Sequence, residues 1–232
     1  MIIQTLDALI KDHQVSNQTR FHKKEYVPGE IDCFVHLDMK TMRQIAKDYS
    51  NQVDKQTLNQ LFTHKYHEYR MVGLLVLLNQ IKDKASLKAS FDRFNQYIDY
   101  VNNWDLVDVS APGIVGRYVD ELNQEAILLM YTKSNNLWVN RIASVACLYL
   151  IKQNKLTLPL KIIEKQLRHN HDLMHKANGW MLREIGKQNI QTLNQFIKKH
   201  YQIMPRTTLR YAIEKHDQNI RKKILGGRFE WM

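Results

Sequence analysis

Proline and glycine are scarce in this sequence, four and eight among 232 residues. Strand-like alternation of apolar and polar residues is absent too, while apolar residues recur at three- and four-residue steps nearly throughout, so the chain reads as all-α. Cysteine is scarcer still. Cys33 and Cys147 are far apart and form no CxxC spacing, which argues against a disulfide framework and against a cysteine metal site. No apolar run is long enough to span a bilayer; the longest, Met71 to Leu78, is broken by Gly73. The opening MIIQTLDALIKDHQ lacks a basic leader and carries charges at Asp7, Lys11 and Asp12, unlike a signal peptide. A soluble, cytoplasmic, monomeric protein without a membrane partner is expected. Acidic residues are the remaining shortfall, 23 against 34 Lys and Arg, a net charge of +11. That excess favours a polyanionic partner. With 44% of residues hydrophobic, a sizeable core is affordable in one domain spanning 1–232.

What is present is a succession of short helices, expected over 2–13, 38–50, 54–64, 66–82, 86–101, 104–118, 121–132, 136–153, 158–168, 171–187, 190–200, 205–215 and 217–225. The helix around Met71–Leu78 is apolar on nearly all sides and should be clamped between neighbours. A register recurs along the series. Arg70, Asp108, Arg141, Lys176 and Arg210 each precede small or apolar residues, and successive members are 33 to 38 residues apart. Helix pairs of that period stack into a curved α-solenoid with equivalent positions along one surface. The consensus residues of tetratricopeptide and ankyrin repeats are missing, which leaves an irregular HEAT-like array.

Four members of the register are cations, spaced to follow a phosphate backbone, and Asp108 is the one anion. A structural Asp would stitch neighbouring repeats together by a salt bridge. Trp104, one turn before Asp108 and on the same helical face, points instead to chemistry. Trp180 shares a repeat with Lys176 and has Arg183 and Lys187 at helical spacing. Trp104, Asp108, Arg141 and Trp180 on one concave surface would make a cation-stabilising site from two indoles and a carboxylate. A nearby Arg141 would keep that carboxylate ionised.

WDLVD at 104–108, WVNRIASVA at 138–146, NGWMLREIGK at 178–187, HEYR at 67–70 and LRYAIEKH at 209–216 together resemble the AlkD family of bacterial DNA alkylation-repair glycosylases. The resemblance covers most of the chain from about residue 38. It implies a HEAT-like solenoid that holds duplex DNA on a basic face and releases purines alkylated at N3 or N7, without a cofactor. Carried over by position, Asp108 matches the catalytic carboxylate. Trp104 and Trp180 match aromatic residues that contact backbone and sugar beside the lesion, and Arg141 matches a phosphate-contacting arginine. Arg70, Lys176, Arg210, Arg183 and Lys187 are the further DNA-binding candidates. The stretch from Gln14 to Asp38 shows no helical period and resembles a branch of AlkD-like proteins that lacks a short second helix, which implies weak or absent excision. The alternative is a non-catalytic HEAT-like module that binds nucleic acid or serves as a protein scaffold.

Other residues have blander readings. Asp105 is most simply a first-turn residue favoured by the helix dipole. Trp138 reads as core and Trp231 as tail packing. His171 and His175 have a metal-compatible spacing, but no third ligand accompanies them and no metal is expected. His64, His67 and Arg70 read as a basic contact surface or as a solvated helix end.

Overall fold

The computed structural model describes residues 1–11, 13–16 and 32–229. Every regular element among them is helical, and the two isolated β-bridges pair Ser16 with Phe34 and Cys33 with Tyr66. The order is α1 (Ile2–Ile10), α2 (Met39–Tyr49), α3 (Lys55–Phe62), α4 (His67–Gln80), α5 (Lys84–Gln96), α6 (Trp104–Ala111), α7 (Arg117–Glu121), α8 (Glu125–Tyr131), α9 (Leu137–Lys152), α10 (Thr157–Gln166), α11 (Asp172–Gln188), α12 (Ile190–His200), α13 (Arg206–Ala212) and α14 (Gln218–Leu225). No helix among the described residues is long and apolar enough to cross a membrane.

The boundaries follow from capping. Side-chain oxygens of Asp38, Asp54, Asp83, Asn136, Asn189 and Asp217 each accept a backbone N–H in the first turn of the helix they precede. At Asp83 the cap is reciprocal with Ser86 and starts α5 two residues before the expected 86. The helix expected over 104–118 is interrupted. Pro112 has no N–H to offer the carbonyl of Asp108 four residues earlier, and the chain passes through a π turn at Pro112–Gly116 before α7.

The contacts gather into two compact units, residues 1–110 and 111–232. In the first, α4 is the central helix, with α2, α3 and α5 packed around it. Its residues from His67 to Leu77 are all buried, as the unbroken apolar run requires. Replacing a fully buried Leu74 by Ala should therefore cost about 2–5 kcal/mol. In the second unit α9, α11 and α13 lie side by side, and α10 packs against both α9 and α11. This succession of packed helices within each unit is an α-solenoid-like arrangement.

The register expected from sequence has a structural counterpart. Asp108, Arg141, Lys176 and Arg210 are each the fifth residue of their helix, and Arg70 is the fourth. Equivalent helix positions therefore underlie the recurrence. The Gln14 to Asp38 stretch, expected as an irregular connection, has its centre, 17–31, outside the described residues. Its two ends meet where Ser16 and Phe34 exchange backbone hydrogen bonds of 3.0 and 2.7 Å.

Candidate functional site

Helix α6 has two unlike sides. Leu106, Val107, Ser110 and Ala111 are fully buried, whereas Trp104, Asp105, Asp108 and Val109 are half-buried. Trp104 and Asp108, four residues apart, thus share the side of α6 that retains access to solvent. The start of this helix is fixed at two residues. Asn103 accepts the Trp104 N–H through Oδ1 at 2.9 Å and donates through Nδ2 to Asp32 at 3.2 Å. Asp105 accepts the Leu106 N–H at 2.8 Å and lies 2.8 Å from Nε2 of His67.

His67 is the hub of this arrangement. Its Nδ1 lies 2.8 Å from Asp32 Oδ2, so each ring nitrogen faces a carboxylate, and the side chain is nearly excluded from solvent. A neutral imidazole has one N–H and one lone pair and can donate to only one of them; donating to both requires the imidazolium. Burial opposes that charge, but the hydrogen bonds to Asp105 and Asp32 more than offset it and raise the pKa to about 9. For Asp32 burial pushes upward, and the hydrogen bond to His67 with the charges of His67 and Arg70 brings its carboxyl below the ordinary range. Arg70 pairs with the same Asp32 and donates to the carbonyl of His64 at 3.2 Å.

The HEYR stretch is accordingly an inward-facing clamp. Glu68 accepts the N–H groups of Val35 and His36 at distances of 2.9–3.1 Å, and the His67 N–H donates to the carbonyl of Cys33 at 2.8 Å. Tyr69 donates to Asp7 at 2.6 Å. His67 and Arg70, expected on a contact surface or a solvated helix end, are only 3% and 6% exposed. The reason is Asp32, whose negative charge makes burial of two cations tolerable. Arg70 therefore departs from the expected row of phosphate-facing cations. Asp105, read from sequence as a dipole-favoured first-turn residue, is also the partner that joins α6 to α4.

In the second unit Asn178 and Gly179 of the NGW stretch hold α11 to its neighbours. Asn178 is fully buried; it donates to the carbonyl of Gln166 at 3.1 Å and accepts from Ser144 at 2.8 Å, while Gln166 donates to Ser144 at 2.7 Å. This neutral network joins α9, α10 and α11. Gly179 lies so close to α13 that a Cβ there would sit 2.5 Å from Tyr211 Cβ and 2.7 Å from the Thr208 carbonyl oxygen. Trp180 follows, half-buried, on the side of α11 that also carries the half-buried Lys176 and Arg183 and the exposed Lys187.

The cations on that side have acidic neighbours. Lys176 pairs with Asp172 at 2.7 Å, Lys187 with Glu184 at 2.7 Å, and Arg183 with Glu214. Arg210, on α13, is exposed. Arg141 is 4% exposed and donates to the Leu173 carbonyl at 2.6 Å, tying α9 to the first turn of α11. His171 accepts the Leu173 N–H at its helix start, and His175 Nε2 lies 2.6 Å from the His169 carbonyl oxygen. Among the described residues no group of three or more His, Cys, Asp or Glu is placed to hold a metal ion. Trp138, expected in the core, is buried, and Trp231 lies outside the described residues.

Residues 2–216 match the family model of the DNA alkylation repair enzymes, and the chain belongs to that family. No curated protein matches it. Among solved structures the chain is similar to a protein described as a predicted DNA alkylation repair enzyme from Enterococcus faecalis, with a TM-score of 0.64. The two are 18% identical over 94% of this chain and 95% of the other, a likeness of fold. Family membership supports a role in DNA alkylation repair.

Proposed function

We propose that the protein is an AlkD-type DNA glycosylase acting on purines alkylated at N3 or N7, with Asp108 as the carboxylate that stabilises positive charge on the sugar. The single observation that carries the reading is the shared, solvent-reaching side of α6 on which Trp104 and Asp108 lie while its other side is core. An alkylated purine is already cationic and leaves without protonation by a general acid, so positive charge passes to the deoxyribose as the bond breaks. A carboxylate beside that sugar lowers the barrier electrostatically and orients the attacking water. Trp104 and Trp180 are assigned to the backbone and sugar beside the lesion. Lys176, Arg183, Lys187 and Arg210 are assigned to phosphates. Arg141 is assigned to a phosphate on the resemblance alone, since its burial speaks for anchoring α11. The sequence of 14–37 carries no helical period, and on that ground excision should be slower than in family members that have a helix there, because small losses of positioning are costly in catalysis.

The test is release of N3- and N7-methylpurines from methylated duplex DNA by wild type and by Asp108→Asn. Slow release by wild type, falling by roughly 10²-fold or more in the variant, is the expected result. Duplex binding without release by either protein would favour the non-catalytic nucleic-acid-binding module.

A further inference from the structure

We propose that His67 is the positioning residue for α6: bridging Asp32 and Asp105 as an imidazolium, it fixes the turn that presents Trp104 and, one turn later, Asp108. The inference rests on the glycosylase reading in taking α6 as the working helix, and its geometry stands apart from that reading. Trp104 is bracketed by two anchored neighbours. Asn103 before it donates to Asp32, and Asp105 after it meets His67, whose other nitrogen meets Asp32 as well. Asp32 is thus fastened to α6 twice, once directly and once through the imidazole. Asp32 lies within the connection between α1 and α2, so this ring links that connection to the helix carrying Trp104 and Asp108.

The charges around the ring account for its form. Facing it are Asp32 from the preceding segment and Asp105 from α6; Arg70 on its own helix pairs with Asp32, and Glu68 is taken up by backbone N–H groups. Two carboxylates are thus balanced by the Arg70 guanidinium and the imidazolium. Loss of the ring proton removes one donor and leaves a carboxylate oxygen opposite a nitrogen lone pair across 2.8 Å. The α6 turn then loses the tie that runs through the imidazole. Asp105→Asn keeps the size and an acceptor oxygen for Nε2–H but removes one of the two negative charges, so it should lower the pH at which His67 releases its proton while leaving the fold intact.

The experiment follows three signals against pH in the wild-type chain and in Asp105→Asn. They are the His67 ring protons, the Trp104 indole N–H assigned through Trp104→Phe, and methylpurine excision corrected for enzyme-free release. In wild type the indole signal and the alkaline fall of excision should share the midpoint of His67. In Asp105→Asn all three midpoints should move down together by about one unit or more. A role confined to stability would lower the melting temperature without moving the excision midpoint. A His67 midpoint at the ordinary value of free histidine, or an indole signal that ignores His67, would overturn the proposal. If neither chain excises methylpurines, the glycosylase reading fails, and the coupled titration of His67 and Trp104 still decides the positioning claim.

Discussion

The two units hold equivalent helices in unlike ways. In the first, α4 and α6 are joined through ions, with His67, Asp32, Asp105 and Arg70 meeting at the helix starts. In the second, α9 and α11 are joined through the neutral Ser144, Gln166 and Asn178 network, and α11 meets α13 by close approach at Gly179. Ionic fastening of this kind depends on protonation. Neutral fastening is indifferent to pH but leaves no room for added atoms. One repeat register thus supports two kinds of mechanical dependence.

Steric intolerance should give the largest effect. At Gly179→Ala the new methyl meets a backbone carbonyl and a Cβ rather than the end of a flexible side chain, so α11 and α13 must separate. The expected loss lies at or above the top of the range of about 1–3 kcal/mol for overpacking. Gly73→Ala is the matched change in the first unit. There the nearest atoms are the Phe62 ring at 3.2 Å and Leu61 Cβ at 3.4 Å, and the helix gains about 0.5–1 kcal/mol from replacing Gly. The net change at Gly73 should be near zero. Urea denaturation of both variants checks the contrast, and equal losses would remove it.

Protonation comes next, and at His67 it acts on the ionic cluster of the first unit. The folded pKa of His67, about 9, stands above its ordinary 6.5. A raised cationic group contributes stability that is fully present below the unfolded value and is lost as pH rises through the folded one. The window therefore runs from about pH 6.5 to about pH 9, and the contribution is on the order of 3 kcal/mol. Wild type should exceed His67→Gln by most of that amount at pH 6, and the gap should close by about pH 10. Asn178→Ala supplies the control in the second unit. It leaves the buried Ser144 hydroxyl without its acceptor and takes one of two donors from the Gln166 carbonyl, which keeps the His169 N–H, at a cost of about 1–3 kcal/mol with no pH dependence over the same range. A gap for His67→Gln that is constant with pH would mean the bridge does not depend on charge.

This contrast also marks what the sequence discloses. Helix positions are legible because apolar periodicity and capping are local: α12 falls on the expected 190–200, and α4, expected over 66–82, runs from His67 to Gln80. The register is legible for the same reason, since its members fall in equivalent turns of successive helices. Arg70 shows where that logic ends. Its register position matches Lys176 and Arg210, yet Asp32, 38 residues away, buries it. The partnership of His67 with Asp105 is equally hidden, because nothing in HEYR or WDLVD names the other. The NGW stretch is intermediate. A fully buried Asn and a Gly next to Trp180 hint at a close helix contact, but their partners at Ser144, Gln166 and Thr208 are fixed only by packing. Trp104 and Asp108 can be paired from sequence because one helix turn separates them.

The smallest effect expected is also the one that separates a cation's place in the register from its place in the structure. Each phosphate contact releases condensed counterions, so the logarithm of the binding constant for duplex DNA falls with the logarithm of salt concentration by about 0.9 per contact. Arg210 is exposed on α13, whereas Arg70 is buried against Asp32. If exposed cations follow the strand, Arg210→Gln should reduce the slope by about 0.9. Arg70→Gln should leave the slope unchanged, because its charge is already matched within the protein, while lowering stability through the loss of the partner to a largely buried carboxylate. Both slopes are read from binding to undamaged duplex at a series of salt concentrations, well below the unfolding temperature of either variant. A smaller slope for Arg70→Gln and an unchanged one for Arg210→Gln would reverse the assignment, making the buried α4 cluster the DNA-responsive part of the protein and α13 a solvated face.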